Sequence, residues 1–138
     1  ILNFQTMVSD MTGFPIANAS LLDEGTAAAE AMAMFFNVKN KKAKADPANV
    51  FFVDENVLDA TIDVLITRSK PMNIEVVVGD WKTFDFSDKC FGVLLQYPGK
   101  NGMVDDFRAF TEQCNAKEIS VTVAPALLAL ALLKAPAE

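Results

Sequence analysis

Along this chain, helical spacing of apolar residues gives way to short apolar runs. Ile1, Leu2, Phe4, Met7, Val8 and Met11 follow the spacing of an amphipathic helix over residues 1–12, and Gly13 is a stop signal. Pro15 then forces an extended connection from Phe14 to Ala19. A second helix is predicted over about Leu21 to Asn37, with Ser20-Leu21-Leu22-Asp23 as its capping box and Ser20 as N-cap. Its body, Ala27 to Phe36, is apolar on every side except Glu30, which predicts a buried helix.

From Val50 the pattern predicts strands and helices in turn. Val50–Val53 reads as a strand, and Asp54–Ser69 as a helix with Val57, Leu58, Ile62, Leu65 and Ile66 on one face. Strands follow at Ile74–Val78, Phe91–Gln96 and Ile119–Val123. Between them lie a loop carrying Trp81, Phe84 and Phe86, a turn at Pro98, Gly99 and Gly102, and a helix over Val104–Asn115. Continuous apolar runs, rather than alternation, mark strands covered on both faces, as in parallel sheets. The expected fold is therefore α/β: a doubly wound, mainly parallel sheet with helices on both faces, in one domain over residues 1–138. A last apolar helix, Ala126–Leu133, has no polar side, so something beyond the chain is expected to cover it. The first helix begins inside its apolar pattern without a cap, which suggests an excised piece of a longer protein.

Composition narrows the chemistry. With 138 residues, 51% of them hydrophobic, the chain can build a real core. A net charge of −6 with no basic stripe argues against nucleic acid as a partner. The basic run Lys39, Lys41, Lys42 and Lys44 reads as a solvated loop after a helix. The absence of histidine removes His-based triads, Cys–His pairs and His-ligated zinc. Cys90 and Cys114 lack metal or redox spacing and are expected as reduced, partly buried thiols. No segment has the run of apolar residues that a membrane helix needs, so no membrane partner is expected.

The stretch Ala17-Asn18-Ala19-Ser20-Leu21-Leu22-Asp23-Glu24-Gly25-Thr26-Ala27-Ala28-Ala29-Glu30-Ala31 closely resembles a signature of the P-proteins of the glycine cleavage system, glycine dehydrogenase (decarboxylating). Leu2-Asn3-Phe4-Gln5-Thr6-Met7 and Gln96-Tyr97-Pro98 look like the same family. The resemblance implies part of the large domain of an aspartate-aminotransferase-like enzyme dependent on pyridoxal 5′-phosphate (PLP). In that enzyme glycine loses its carboxylate as carbon dioxide, and the aminomethyl group passes to the lipoyl arm of H-protein. The family has two related halves, as one chain or two subunits. This chain is similar to the first half, and the Schiff-base lysine belongs to the second.

The implied partners are therefore the remaining half or partner subunit, lipoylated H-protein and glycine. The implied location is the cytoplasm of a bacterium, or the mitochondrion of a eukaryote. Two positions depart from the family pattern. Ala126 stands in a stretch where the family carries an acid, and Ala137 replaces a glycine in Ala135-Pro136-Ala137-Glu138.

No catalytic, cofactor-binding or metal-binding residue is expected on this chain. The loop matching the phosphate cup of PLP enzymes, Leu22-Asp23-Glu24-Gly25-Thr26, offers two carboxylates and no nearby cation, so it suits an anion poorly. Ser20, Asp23, Glu24, Gly25 and Thr26 are instead candidates for a structural loop, or for the junction with the other half. An imine-forming lysine must be desolvated. Lys82, Lys89, Lys100 and Lys117 lie in polar loops, and Lys70 and Lys134 at helix ends.

Gly99-Lys100-Asn101-Gly102 lacks the Walker spacing and reads as a turn. Asp105 and Asp106 suit the first turn of a helix, and the aromatic loop 81–86 suits a core plug more than a ligand lid. Two other functions stay open from the residues alone: a non-catalytic interaction module that keeps the fold, and a small α/β ligand-binding domain.

Overall fold

A computed structural model describes residues 1–41 and 46–138. Its elements are α1 (Leu2–Thr12), α2 (Glu24–Lys39), β1 (Val50–Asp54), α3 (Asp59–Ser69), β2 (Glu75–Gly79), β3 (Cys90–Tyr97), α4 (Arg108–Ala116) and β4 (Ser120–Pro125). Single 3₁₀ turns lie at Lys70–Met72, Trp81–Thr83 and Leu127–Ala131. The four strands form one sheet in the order β2-β1-β3-β4, and all its pairings are parallel.

Parallel strands expose apolar side chains on both faces, and both must be covered. On one face Phe51, Val53, Phe91 and Leu94 pack with Ala28, Ala29 and Met32 of α2 and Leu65 of α3. On the other, Phe52, Val93 and Leu95 meet Phe110 and Cys114 of α4. Here the β2–β3 connection supplies what a second helix would. Trp81, Phe84 and Phe86 pack over the sheet, with the Phe52 and Phe84 ring centroids 4.6 Å apart and those of Phe84 and Phe86 4.7 Å apart. The aromatic loop is a core plug, as its sequence suggested.

The strands lie where the apolar runs placed them, and α1 stops at Gly13 and α3 at Ser69 as expected. The starts of α2, α3 and α4 are displaced. The N-cap of α2 is Asp23, not Ser20. The Asp23 carboxylate accepts the Thr26 amide at 2.7 Å, while the Thr26 hydroxyl accepts the Asp23 amide at 3.1 Å. Ser20 lies in the extended lead-in before this reciprocal cap. At the other end, Asn40 donates to the carbonyls of Phe36 and Ala48 at 3.0 and 2.8 Å, closing the chain around the loop. Of the basic run, Lys39 pairs with Glu118 and Lys41 is exposed, while Lys42 and Lys44 lie outside the described residues.

Five further expectations need correction. Helix α2 is not buried all round, because Met34 and Val38 face solvent. Helix α3 begins at Asp59 rather than Asp54: residues 54–57 form a turn closed by the Val57 amide on the Asp54 carbonyl at 3.0 Å. Its buried residues are Thr61, Leu65 and Ser69, and Ile66 is exposed. Helix α4 begins at Arg108, so Asp105 and Asp106 precede it instead of forming its first turn. The apolar stretch 126–133 makes only a 3₁₀ turn, with Leu130 buried and Leu128 and Leu132 outside. Strand β2 is an edge strand whose Val77 and Val78 are part-exposed, so not every strand is covered on both faces.

Two expected outcomes follow from this packing. Replacing Asp23 with Ala should lower the thermal midpoint, and replacing Ser20 with Ala should leave it in place, as followed by circular dichroism. Its bonds to Thr26 hold the Asp23 pKa below the ordinary value. The stabilisation should therefore be present above the unfolded carboxylate pKa and be lost as pH falls through the lower folded value. A methyl group on Gly92 would come within 2.9 Å of Phe51 and 3.1 Å of Phe35. Gly92→Ala should therefore cost about 1–3 kcal/mol in urea denaturation.

Candidate functional site

In open α/β sheets, ligands enter at the carboxyl ends of the strands where the strand order reverses. That point lies between β1 and β3 here, and the chain's own β3–α4 loop lies across it. The Lys100 amide donates to the Asn56 carbonyl at 2.7 Å, and its ammonium reaches Asp59 at 2.7 Å. Gly99 approaches so closely that a Cβ there would stand 3.1 Å from that of Asn56. The Gly99-Lys100-Asn101-Gly102 stretch is a turn, with Gly102 at φ +79°.

Beside this loop, Asp54 ends β1 with 1% of its surface exposed, and its Oδ1 has no hydrogen-bond partner among the described residues. Burial pushes its pKa up, against the backbone amides of Trp81 and Asn56, which favour the charged form. Gln96 of β3 is buried too. Sequence reasoning missed Asp54, although an acid closing the apolar run Val50–Val53 was the available signal.

The predicted loop sits at the same end of the molecule. Gly25 of α2 packs on Val64 of α3, and Glu30 of α2 pairs with Arg68 of α3, so the two helices run side by side in the same direction. Gly25 is the glycine of a helix contact: a Cβ there would lie 3.1 Å from Val64 Cγ2. Asp23 and Thr26 hold each other, Glu24 is exposed, and Ser20 borders a groove with Phe4, Phe14 and Pro125. The structure thus keeps Asp23, Glu24, Gly25 and Thr26 together at the start of α2, with Ser20 apart from them.

An open cleft of about 560 Å³ lies at the ends of β3 and β4, between Tyr97, the start of α4 and the tail 134–138. Its cations are already matched. Arg108 Nε donates to Asp106 at 2.9 Å, which holds the Asp106 carboxyl far below the usual range, and Lys134 stands 3.7 Å from Glu138. Both cysteines are free and buried, and desolvation pushes the Cys114 thiol up to about 12, so neither is a ready nucleophile. Among the described residues no group of three or more His, Cys, Asp or Glu could hold a metal ion, and no helix is long and apolar enough to cross a membrane.

The family model of the glycine cleavage system P-protein matches residues 1–138. The chain belongs to that family. Glycine dehydrogenase (decarboxylating) of Flavobacterium johnsoniae is 54% identical over the whole chain, that of a Nostoc species 51%, and that of a Bacteroides fragilis strain 44%. The chain spans 14% of the length of these P-proteins. A crystal structure of glycine decarboxylase (P-protein) of the glycine cleavage system, in inhibitor-bound form, superposes with a TM-score of 0.82 at 21% identity. It covers 99% of this chain and 31% of that one, and the likeness shows the shared α/β fold.

Enzymes of the P-protein family depend in general on PLP, and the residues here do not fit that group. The amides that could cup its phosphate at the start of α2 are already engaged: Thr26 donates to the Asp23 carboxylate and Ala27 to the Asp23 carbonyl at 3.1 Å. The Asp23 side chain thus stands where an anion would bind. None of the described lysines is buried, whereas an imine-forming lysine needs desolvation.

Asp54 supplies a pH test. A carboxyl whose folded pKa is raised favours the fold most when protonated, and that advantage is lost as pH rises through the folded value. Against the unsubstituted chain, Asp54→Asn should therefore gain relative stability between acid and neutral pH, read from urea midpoints across the range.

Proposed function

We propose that this chain is one α/β domain, residues 1–138, in the first of two related halves of a P-protein, and that it serves as scaffold rather than as cofactor site. The observation that carries this reading is the family match over every residue, from 1 to 138. The complete polypeptide would take glycine, release its carboxylate as carbon dioxide and pass the aminomethyl group to the lipoyl arm of H-protein. PLP would be held by residues outside this chain, because here the start of α2 is already capped by a carboxylate.

In this reading Ser20, Asp23, Glu24, Gly25 and Thr26 belong to a loop at the junction with the partner half. Ser20 and Leu21 border a groove, which suits that position. The bacterial sources of the relatives favour the cytoplasm as the site of action.

The full reading frame, expressed and supplied with PLP and lipoylated H-protein, should exchange the glycine carboxyl carbon with labelled bicarbonate. The 138-residue chain alone should do neither this nor hold PLP through dialysis. Lack of exchange by the full polypeptide would remove the enzymatic reading. A borohydride-fixed adduct at one lysine of the short chain would remove the scaffold reading.

A further inference from the structure

Strand β2 is one edge of the sheet and pairs with β1 alone. Its hydrogen bonds show which backbone groups are in use. The Glu75 amide donates to the Asn49 carbonyl at 2.8 Å, and the Gly79 carbonyl accepts the Glu55 amide at 2.8 Å. Between these two bonds the register runs without a bulge, from Val50 opposite Glu75 to Asp54 opposite Gly79. Strand residues alternate, so Glu75, Val77 and Gly79 turn their amides and carbonyls toward β1. Those of Val76 and Val78 point out of the edge, where no strand meets them among the described residues.

Edge strands are ordinarily shielded by a lysine, a proline, a bulge or a covering segment. Residues 75–79 carry none of the first three, and Val77 and Val78 are 38% and 43% exposed. Val64 and Arg68 turn one flank of α3 toward α2, which leaves the exposed Ile66 on the flank away from α2, beside this edge. The edge is a row of free hydrogen-bonding groups lined with apolar side chains.

Its sequence suits a second copy of itself. In an antiparallel pair about a two-fold axis through Val77, position 77 of one copy faces position 77 of the other, and Val76 faces Val78. The two Val76–Val78 pairs then exchange amide and carbonyl bonds through the outward-pointing groups, which is the phase an antiparallel ladder requires. Glu75, the one charged residue of the strand, meets Gly79 of the other copy, so no like charges stand opposite each other. Asp80 follows, but its carboxylate is turned back onto the Lys82 amide of its own chain at 2.9 Å. We propose that β2 docks antiparallel on β2 of a second copy of this polypeptide, about a two-fold axis at Val77, so that two sheets become one. The proposal stands apart from the catalytic reading.

The test uses the full-length polypeptide. With Val77→Cys, mild oxidation should join two copies by a disulfide that peptide mapping places between position 77 and position 77, since facing residues of a non-hydrogen-bonded pair are close enough to bridge. Glu75→Cys should give no self-link, because the two copies of position 75 would lie roughly 13 Å apart along the strands. Val77→Lys and Val77→Glu, each alone, should halve the particle mass in light scattering. An equal mixture of the two should restore it, because position 77 faces itself. Circular dichroism checks that the charged variants are folded, and the disulfide needs neither of them. Absence of the 77–77 disulfide would overturn the pairing, and is the result expected if other polypeptide of the same chain covers the edge. A self-link at 75 equal to that at 77, charged variants that keep the full mass, or a mixture that stays at the lower mass would overturn it as well.

Discussion

Phe51 and Phe52 are neighbours on β1 and belong to opposite cores, one beneath α2 and α3, the other beneath α4 and the aromatic loop. A parallel strand sends successive side chains to opposite faces, so the central pair β1–β3 needs cover on both sides at once. Most other features answer that demand. Gly92 gives up its side chain so that the rings of Phe51 and Phe35 can close over the sheet. Gly25 does the same between α2 and α3, where a close helix approach completes the roof. On the far face, Trp81 meets Phe107 and Phe110 edge-on at 5.1 and 5.6 Å, an arrangement that aromatic rings favour.

The same demand explains why the carboxyl edge holds so little reactive equipment. The loop after β3 is spent on closing the crevice between β1 and β3, with its Lys100 engaged by Asn56 and Asp59. The start of α2, which in this fold class can face an anion, is spent on its own aspartate cap. The cations of the remaining cleft, Arg108 and Lys134, are already paired with Asp106 and Glu138. Such an arrangement suits the supporting role proposed above for a chain that spans 14% of its relatives' length.

What could be read from the sequence followed the physics of each signal. Strands such as Val50–Val53 and Phe91–Gln96 were legible because buried parallel strands must be apolar throughout, and Gly13 was legible because a left-handed residue ends α1. Helix starts were misread where two capping patterns overlap. Ser20 and Asp23 both precede a helical run, and only the backbone decides which one turns its amide and side chain toward Thr26. Residues 55–58 and 104–107 carry helical periodicity but lie outside the helices, the first of them tied into a turn whose Asn56 carbonyl accepts the Lys100 amide. The Asp54 carboxylate escaped notice for a related reason, since its burial depends on strands and loops far away in sequence.

The strand order also fixes when the core can form during synthesis. Strand β1 has β2 and β3 as neighbours, and Val50 pairs with Cys90 across the whole intervening helix, strand and loop. A nascent chain emerging from the ribosome can lay α3 and β2 against β1, but it cannot shield the other edge of β1 until β3 has been made. Through that interval Phe51 and Phe52 stay partly open, with an unpaired backbone edge beside them. Parallel, sequence-distant pairing of this kind is slow to form and vulnerable to aggregation while it waits. The order of translation, and not only the final packing, therefore sets how safely this fold is reached.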